Sequence, residues 1–168
     1  QVRMFVSKTY EILDNIFYIT GKTNTGNWDY PSTVVSISFD EETGTHFKST
    51  GGSSSQSIIL KRNNSKHSFD GTQDLCFEFD LKTSNQLGSY WLTDEDLRGS
   101  SITALLLDDM WHHYKFEYLP SISKTRVTID NNVPTLVNLT PTSTMGLLFV
   151  DWQYDTDFYI KELKVYPI

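Results

Sequence analysis

Apolar and polar residues alternate along most of this chain, most regularly from Asp74 to Lys82. Leu75, Phe77, Phe79 and Leu81 fall on one face of an extended strand; Cys76, Glu78, Asp80 and Lys82 fall on the other. The same period runs from Met110 to Tyr118, where Tyr114, Phe116 and Tyr118 oppose His113, Lys115 and Glu117. Val127 and Ile129 resume it after a loop through Pro120, and Val35, Ile37 and Phe39 alternate with Ser36 and Ser38. Residues 2–6, 57–60, 89–92, 102–107, 147–152 and 158–166 read as further strands, with 2–6 placed to pair with the last. In that last strand the apolar set passes from Phe158 and Ile160 to Leu163 and Val165. Such a one-residue change of phase predicts a β-bulge. Turn signals separate the strands, among them Asp130-Asn131-Asn132, because Asn and Asp tolerate left-handed backbone. No helical period longer than a turn or two is present. Many short strands with turns between them predict an all-β, antiparallel two-sheet β-sandwich of jelly-roll type. No repeat or linker divides the chain, so residues 1–168 read as a single domain.

Two stretches carry a family resemblance. Trp111-His112 enters a strand, a loop follows, then the short strand Val127-Thr128-Ile129 and the turn Asp130-Asn131. The closing strand is Asp157-Phe158-Tyr159-Ile160-Lys161-Glu162-Leu163-Lys164-Val165-Tyr166. Together they resemble the concanavalin A-like, or laminin-G-like, sandwich. That family usually ends the first phrase in Asp-Gly, where this chain has Asp130-Asn131. More loosely, the Asn/Thr/Ser-rich style is similar to such domains in adhesin-like surface proteins of methanogenic archaea and in phage tail proteins that grip host cell-wall sugars. The resemblance implies the fold and a saccharide-related role, not a particular activity.

Charge and composition narrow the partners. A formal charge of −7 disfavours nucleic acid and anionic membrane surfaces. No apolar run is long enough to enter a bilayer as a helix. Cys76 is the single cysteine, so no disulfide forms within the chain, and its place in an apolar strand predicts a buried, inert thiol. Gln1 in place of a start Met fits an excised domain or processed chain. An extracellular, cell-surface or virion setting is the expectation.

Aromatic residues make up 14% of the chain, enough to supply both a core and a binding surface. Trp28 and Tyr30 sit in a Gly/Asn/Thr loop. Tyr90 and Trp91 are neighbours on a strand, so one of them faces outward. Trp152 and Tyr154 share an end loop with Asp151, Asp155 and Asp157. Flat rings suit the C–H faces of sugars, and carboxylates and amides suit their hydroxyl groups. Each ring can equally be core, and Trp111, opening the central strand, reads as core. Glu78 and Asp80 share a strand face. A retaining glycosidase needs two carboxyl groups about 5 Å apart. The laminarinase-like relatives that the resemblance brings in use Glu-x-Asp-x-x-Glu, but here Thr83 stands in the third position, so Glu78 and Asp80 read as a sugar-facing polar pair without a catalytic role.

No cofactor is expected. Related sandwiches often carry a structural calcium, and Asp151, Asp155 and Asp157 are the oxygen-rich cluster that could hold one. His112 and His113 are adjacent on a strand and point to opposite faces, so they are not a metal pair. The leading expectation is a non-catalytic carbohydrate-binding or adhesion module that recognises a cell-surface or cell-wall polysaccharide as part of a larger surface or phage protein. The alternatives are a structural capsid, tail or adhesin domain making protein contacts, and a glycoside hydrolase or polysaccharide lyase on the same fold.

Overall fold

The structure, a computed structural model, describes residues 17–19, 28–51, 55–61, 69–92, 98–152 and 155–168. The strand expected at 2–6 and the side chain of Tyr154 lie outside them. Fourteen strands are described: β1 (Phe17–Ile19), β2 (Trp28–Asp29), β3 (Val35–Asp40), β4 (Gly44–Ser49), β5 (Gln56–Leu60), β6 (Phe69–Asp70), β7 (Leu75–Thr83), β8 (Leu87–Leu92), β9 (Arg98–Ala104), β10 (His112–Leu119), β11 (Lys124–Ile129), β12 (Thr135–Asn138), β13 (Thr144–Asp151) and β14 (Asp157–Pro167). The described residues include no α-helix, only a 3-10 turn at Pro120–Ile122. None of their helices could therefore cross a membrane.

The strands form two antiparallel sheets. An eight-stranded sheet runs β12-β11-β10-β7-β14-β4-β3, with β1 also on β14; a six-stranded sheet runs β2-β5-β13-β8-β9, with β6 on β13. The alternation read from the sequence sets their inner faces. Phe77, Phe79 and Leu81 of β7, with Tyr114 and Phe116 of β10, meet Trp91, Leu147 and Phe149 from the other sheet in one buried cluster. Edge-to-face pairs fill it, such as Trp28 on Phe47 at 5.1 Å between ring centroids. Buried polar groups find partners: Trp91 Nε1 donates to Thr125 Oγ1 at 2.8 Å, tying the sheets together, and Tyr118 OH donates to the Gly71 carbonyl at 2.9 Å.

Local signals hold as well. Asp130 and Asn131 adopt left-handed φ angles of 52° and 59°. The register of β14 on β7 shifts between Lys161 and Lys164, with Glu162 at φ 54°, which is the expected bulge. Before the bulge β14 pairs with β4, and after it with β1. The strand expected at 102–107 runs instead from Arg98 to Ala104 and leaves Leu106 and Leu107 exposed beyond its end.

Candidate functional site

Each sheet has an outer side, and both carry chemistry. On the six-stranded sheet, alternation along β8 sends Leu87 and Trp91 into the core and Gly88, Tyr90 and Leu92 outward. Ile59, Leu148 and Val150 join Leu92 in an apolar row on that outer side. Trp152, just past β13, packs over this surface. Its indole is 39% exposed and meets the Tyr90 ring edge-to-face at 6.0 Å and 80°. Gly88 makes room for it, since a Cβ there would stand 3.0 Å from Trp152 Nε1. The two rings border a hollow of about 300 Å³, also lined by Gln86, Ser101, Thr103 and Leu107. An exposed indole beside hydroxyl and amide groups suits a ligand with an apolar face and polar rim. No carboxylate is among the described residues lining it.

On the eight-stranded sheet, cross-strand register lines up charged and aromatic side chains. His113 of β10 lies opposite Asp80 of β7, and Asp80 opposite Lys161 of β14. His113 bridges two carboxylates: Nδ1 to Asp80 Oδ1 at 2.6 Å and Nε2 to Glu78 Oε2 at 2.8 Å. Tyr166 OH donates to Glu78 Oε1 at 2.6 Å. Burial pushes the Glu78 pKa up, but the hydrogen bonds from Tyr166 and His113 outweigh it, so Glu78 titrates below its ordinary value. Burial likewise opposes the charge on His113, yet its two carboxylate partners hold its pKa above the usual 6.5. His112, on the other parity, is bracketed by Asp108 and Asp130 in the same way and is raised for the same reasons. Two residues further along, on the same face, Lys82 lies opposite Tyr159, and Tyr159 opposite His46. The His46 and Tyr159 rings stack at 4.0 Å. Trp111, which leads into β10, packs against Tyr159 at 6.3 Å.

Several expected site residues are placed elsewhere. Trp28 and Trp91 are each 2% exposed. Trp28 is on β2, paired with β5, rather than in a loop, and Trp91 takes the inward parity of β8, so neither ring can present a face to a ligand. Tyr30 packs against Phe47 at the margin of the core. Trp111, read as core, is instead half-buried on the outer side, because its parity matches His113 rather than Tyr114. Glu78 and Asp80 share a face as expected, whereas Thr83 is buried and donates to the Asp157 carbonyl.

In the end loop, Asp151 is buried and accepts a hydrogen bond from Thr156 Oγ1 at 2.7 Å, and Asp157 meets His46 Nε2 at 2.6 Å. Asn85 donates to the Asp155 carbonyl. Among the described residues no group of three His, Cys, Asp or Glu side chains is arranged to hold a metal ion. Sequence reasoning missed Trp111, Tyr159, Lys82 and Lys161 as surface neighbours. Their outward parity was readable within each strand, but their adjacency depends on sheet order.

No protein-family model matches the sequence, and no curated protein does. Solved structures match in shape. A sialidase superposes with a TM-score of 0.63 at 12% identity, over 91% of this chain and 18% of the sialidase, so this chain spans under a fifth of that protein's length. The Crh5 transglycosylase, solved in complex with NAG, gives 0.59 at 12% identity over 91% of this chain and 84% of the enzyme. The exoplasmic/lumenal domain of VIP36, in a Ca2+/Man3GlcNAc-bound form, gives 0.57 at 9% identity over 90% and 88%. Carbohydrate-binding modules are among the other matches. The chain therefore has the antiparallel two-sheet β-sandwich fold that these carbohydrate-binding domains share, in line with the concanavalin A-like resemblance. At such identities the likeness extends to fold alone.

Proposed function

We propose that this domain is a non-catalytic carbohydrate-binding module that takes its ligand in the hollow beside Trp152. The observation that carries the reading is the half-exposed indole, propped on Gly88 and Tyr90 above a hollow edged by Gln86, Ser101 and Thr103. A sugar ring stacks its C–H face on the indole while its hydroxyl groups exchange hydrogen bonds with the rim. Structural neighbours solved with saccharides support it. The absence of acidic groups from the described lining argues against cleavage there. On the opposite side, the hydrogen bonds to Glu78 from Tyr166 and His113 lower its pKa, which favours the carboxylate over the protonated form that a general acid needs. The third position of the laminarinase pattern, Thr83, is buried.

The module fits an extracellular setting as part of a larger surface or viral protein, where repeated display strengthens individually weak sites. The test is a glycan array followed by titration calorimetry. Trp152→Ala is expected to weaken binding by about tenfold or more, about 1.4 kcal/mol. Failure of any neutral or acidic oligosaccharide to bind the wild type at millimolar concentration would sink the proposal. Binding is expected to be the same in calcium and in chelator, since Asp151 and Asp157 are engaged with Thr156 and His46.

Protein contact is the second reading. Leu106, Leu107, Met110 and Val133 are exposed. A concentration-dependent dimer in analytical ultracentrifugation would favour it.

A further inference from the structure

The eight-stranded sheet carries a feature that the Trp152 hollow does not explain. Its outer side holds several cations, and two of them face a carboxylate. Arg126 meets Glu117 at 3.5 Å and Lys164 meets Glu78 at 3.9 Å. Lys82 and Lys161 differ. Lys161 Nζ stands 4.1 Å from the centroid of the Trp111 ring, and Lys82 Nζ stands 5.6 Å from the same centroid and 4.9 Å from that of Tyr159. Neither has a carboxylate within ion-pair reach among the described residues. The acids nearest in register are committed to histidines: Asp80, opposite Lys161, to His113, and Asp157 to His46.

Cation–π attraction uses the charge of an ammonium group but none of its N–H donors. Two ammonium groups thus converge on one indole with donors to spare, in a chain whose formal charge is −7. Trp111, Tyr159 and His46 supply a row of rings alongside them, and Ser38 lies opposite His46 at its end. Lys82, Lys161, Tyr159, His46 and Ser38 stand on paired strands and Trp111 directly precedes β10, so most of the spacing is set before any ligand arrives. The arrangement suits a molecule with an anionic group to meet the lysines and a flat, weakly polar body to lie along the rings.

We infer that the outer side of the eight-stranded sheet is a second binding site, centred on Trp111, Lys82 and Lys161, for a saccharide unit bearing a carboxylate. The choice of a saccharide over another acid rests on the proposed function; the choice of an anion rests on the two lysines alone. The two sites lie on opposite sides of the sandwich, and each has its own indole.

That separation provides the experiment. The full chain is labelled with 15N and the four indole N–H resonances are followed during titration. Trp28 and Trp91, sealed in the core, serve as internal references for the fold. Tri-galacturonate is expected to move the Trp111 resonance, and a neutral galactose trimer at equal concentration is expected to leave it in place. Added salt should weaken the acidic response, because it screens exposed charges. The K82Q/K161Q double variant should bind the acid about tenfold more weakly while Trp28 and Trp91 keep their wild-type positions.

The site is disproved if Trp111 stays unmoved by tri-galacturonate and by a sialylated trisaccharide, or if the double variant binds both as the wild type does. An equal response to the neutral trimer removes the anionic preference. A response to a sulfated oligosaccharide but to neither carboxylated one overturns the carboxylate assignment. An equal response to a short polyglutamate peptide overturns the saccharide assignment. Movement of Trp152 with Trp111 silent defeats this inference and leaves the proposed function standing; the reverse defeats the Trp152 hollow and keeps the acidic site.

Discussion

His112 and His113 are neighbours in sequence, yet each stands between two carboxylates on its own side of the sheet. Both have pKa values above the ordinary 6.5 in the folded protein. A raised value means that the folded state holds the proton more tightly than the unfolded chain. The resulting stability is complete below 6.5 and is lost as pH rises through the folded values. Glu78, Asp108 and Asp130 titrate below their ordinary values of 4.5, 3.8 and 3.8, so their contribution is present above those values and is lost as pH falls through the folded ones. Urea midpoints are therefore expected to be highest between 4.5 and 6.5 and to fall on either side. His113→Gln should reduce the decline above neutrality; an unchanged slope would mean that the clamp does not form. The buried tryptophans offer a second contrast. Trp91 donates to the buried Thr125 hydroxyl, whereas Trp28 Nε1 has no partner among the described residues. Trp91→Phe is expected to cost about 1–2 kcal/mol more than Trp28→Phe in chemical denaturation, because it leaves Thr125 unpaired.

At the scale of the strand, β14 decides how the eight-stranded sheet closes. Its bulge lets Ile160 and Leu163 both face the core, and Glu162 takes the left-handed conformation that this requires. Glu162→Gly should be neutral or stabilising by up to about 1 kcal/mol, since Gly relieves the cost of positive φ, whereas Glu162→Val should destabilise. Gly44, at φ 76°, opens β4 beneath β14, and a Cβ there would collide with the Ile160 carbonyl. Gly44→Ala is expected to cost about 2 kcal/mol or more, measured as a lower urea midpoint. The bulge was legible beforehand, because an apolar stripe that changes phase can stay on one face only if a residue is inserted. Strand β2 was not. Trp28-Asp29 is too short for a periodic signal, and only pairing with β5 shows that Trp28 faces inward.

For the molecule as a whole, Cys76 is a built-in reporter. It lies on the outward parity of β7, yet it is 1% exposed, with Tyr166 against it, and burial pushes its thiol pKa up to about 11. Its reaction with a thiol reagent is expected to follow opening of the β7–β14 pair, with a rate that rises in step with urea-induced unfolding. Rapid modification in native buffer would show that this central pair opens locally. The two proposed sites lie on opposite sides of the sandwich, so they are expected to act independently. Trp152→Ala should leave the Trp111 surface intact, and K82Q/K161Q should leave the Trp152 hollow intact, as separate calorimetric titrations would show.

Much of this molecule follows from the order of its residues. Alternation assigns a face to almost every side chain in a strand, and Asn and Asp mark where the chain reverses, so an all-β sandwich, its central strands and its bulge could be read directly. The location of the candidate sites could not. Parity states that Trp111, Lys82 and Tyr159 point outward, but their meeting depends on β10, β7 and β14 lying side by side, a pairing between segments far apart in the chain. The fates of the four indoles were settled in the same way. Whether a ring is sealed or exposed depends on what the opposite sheet and the neighbouring strand place against it, and no local pattern encodes that.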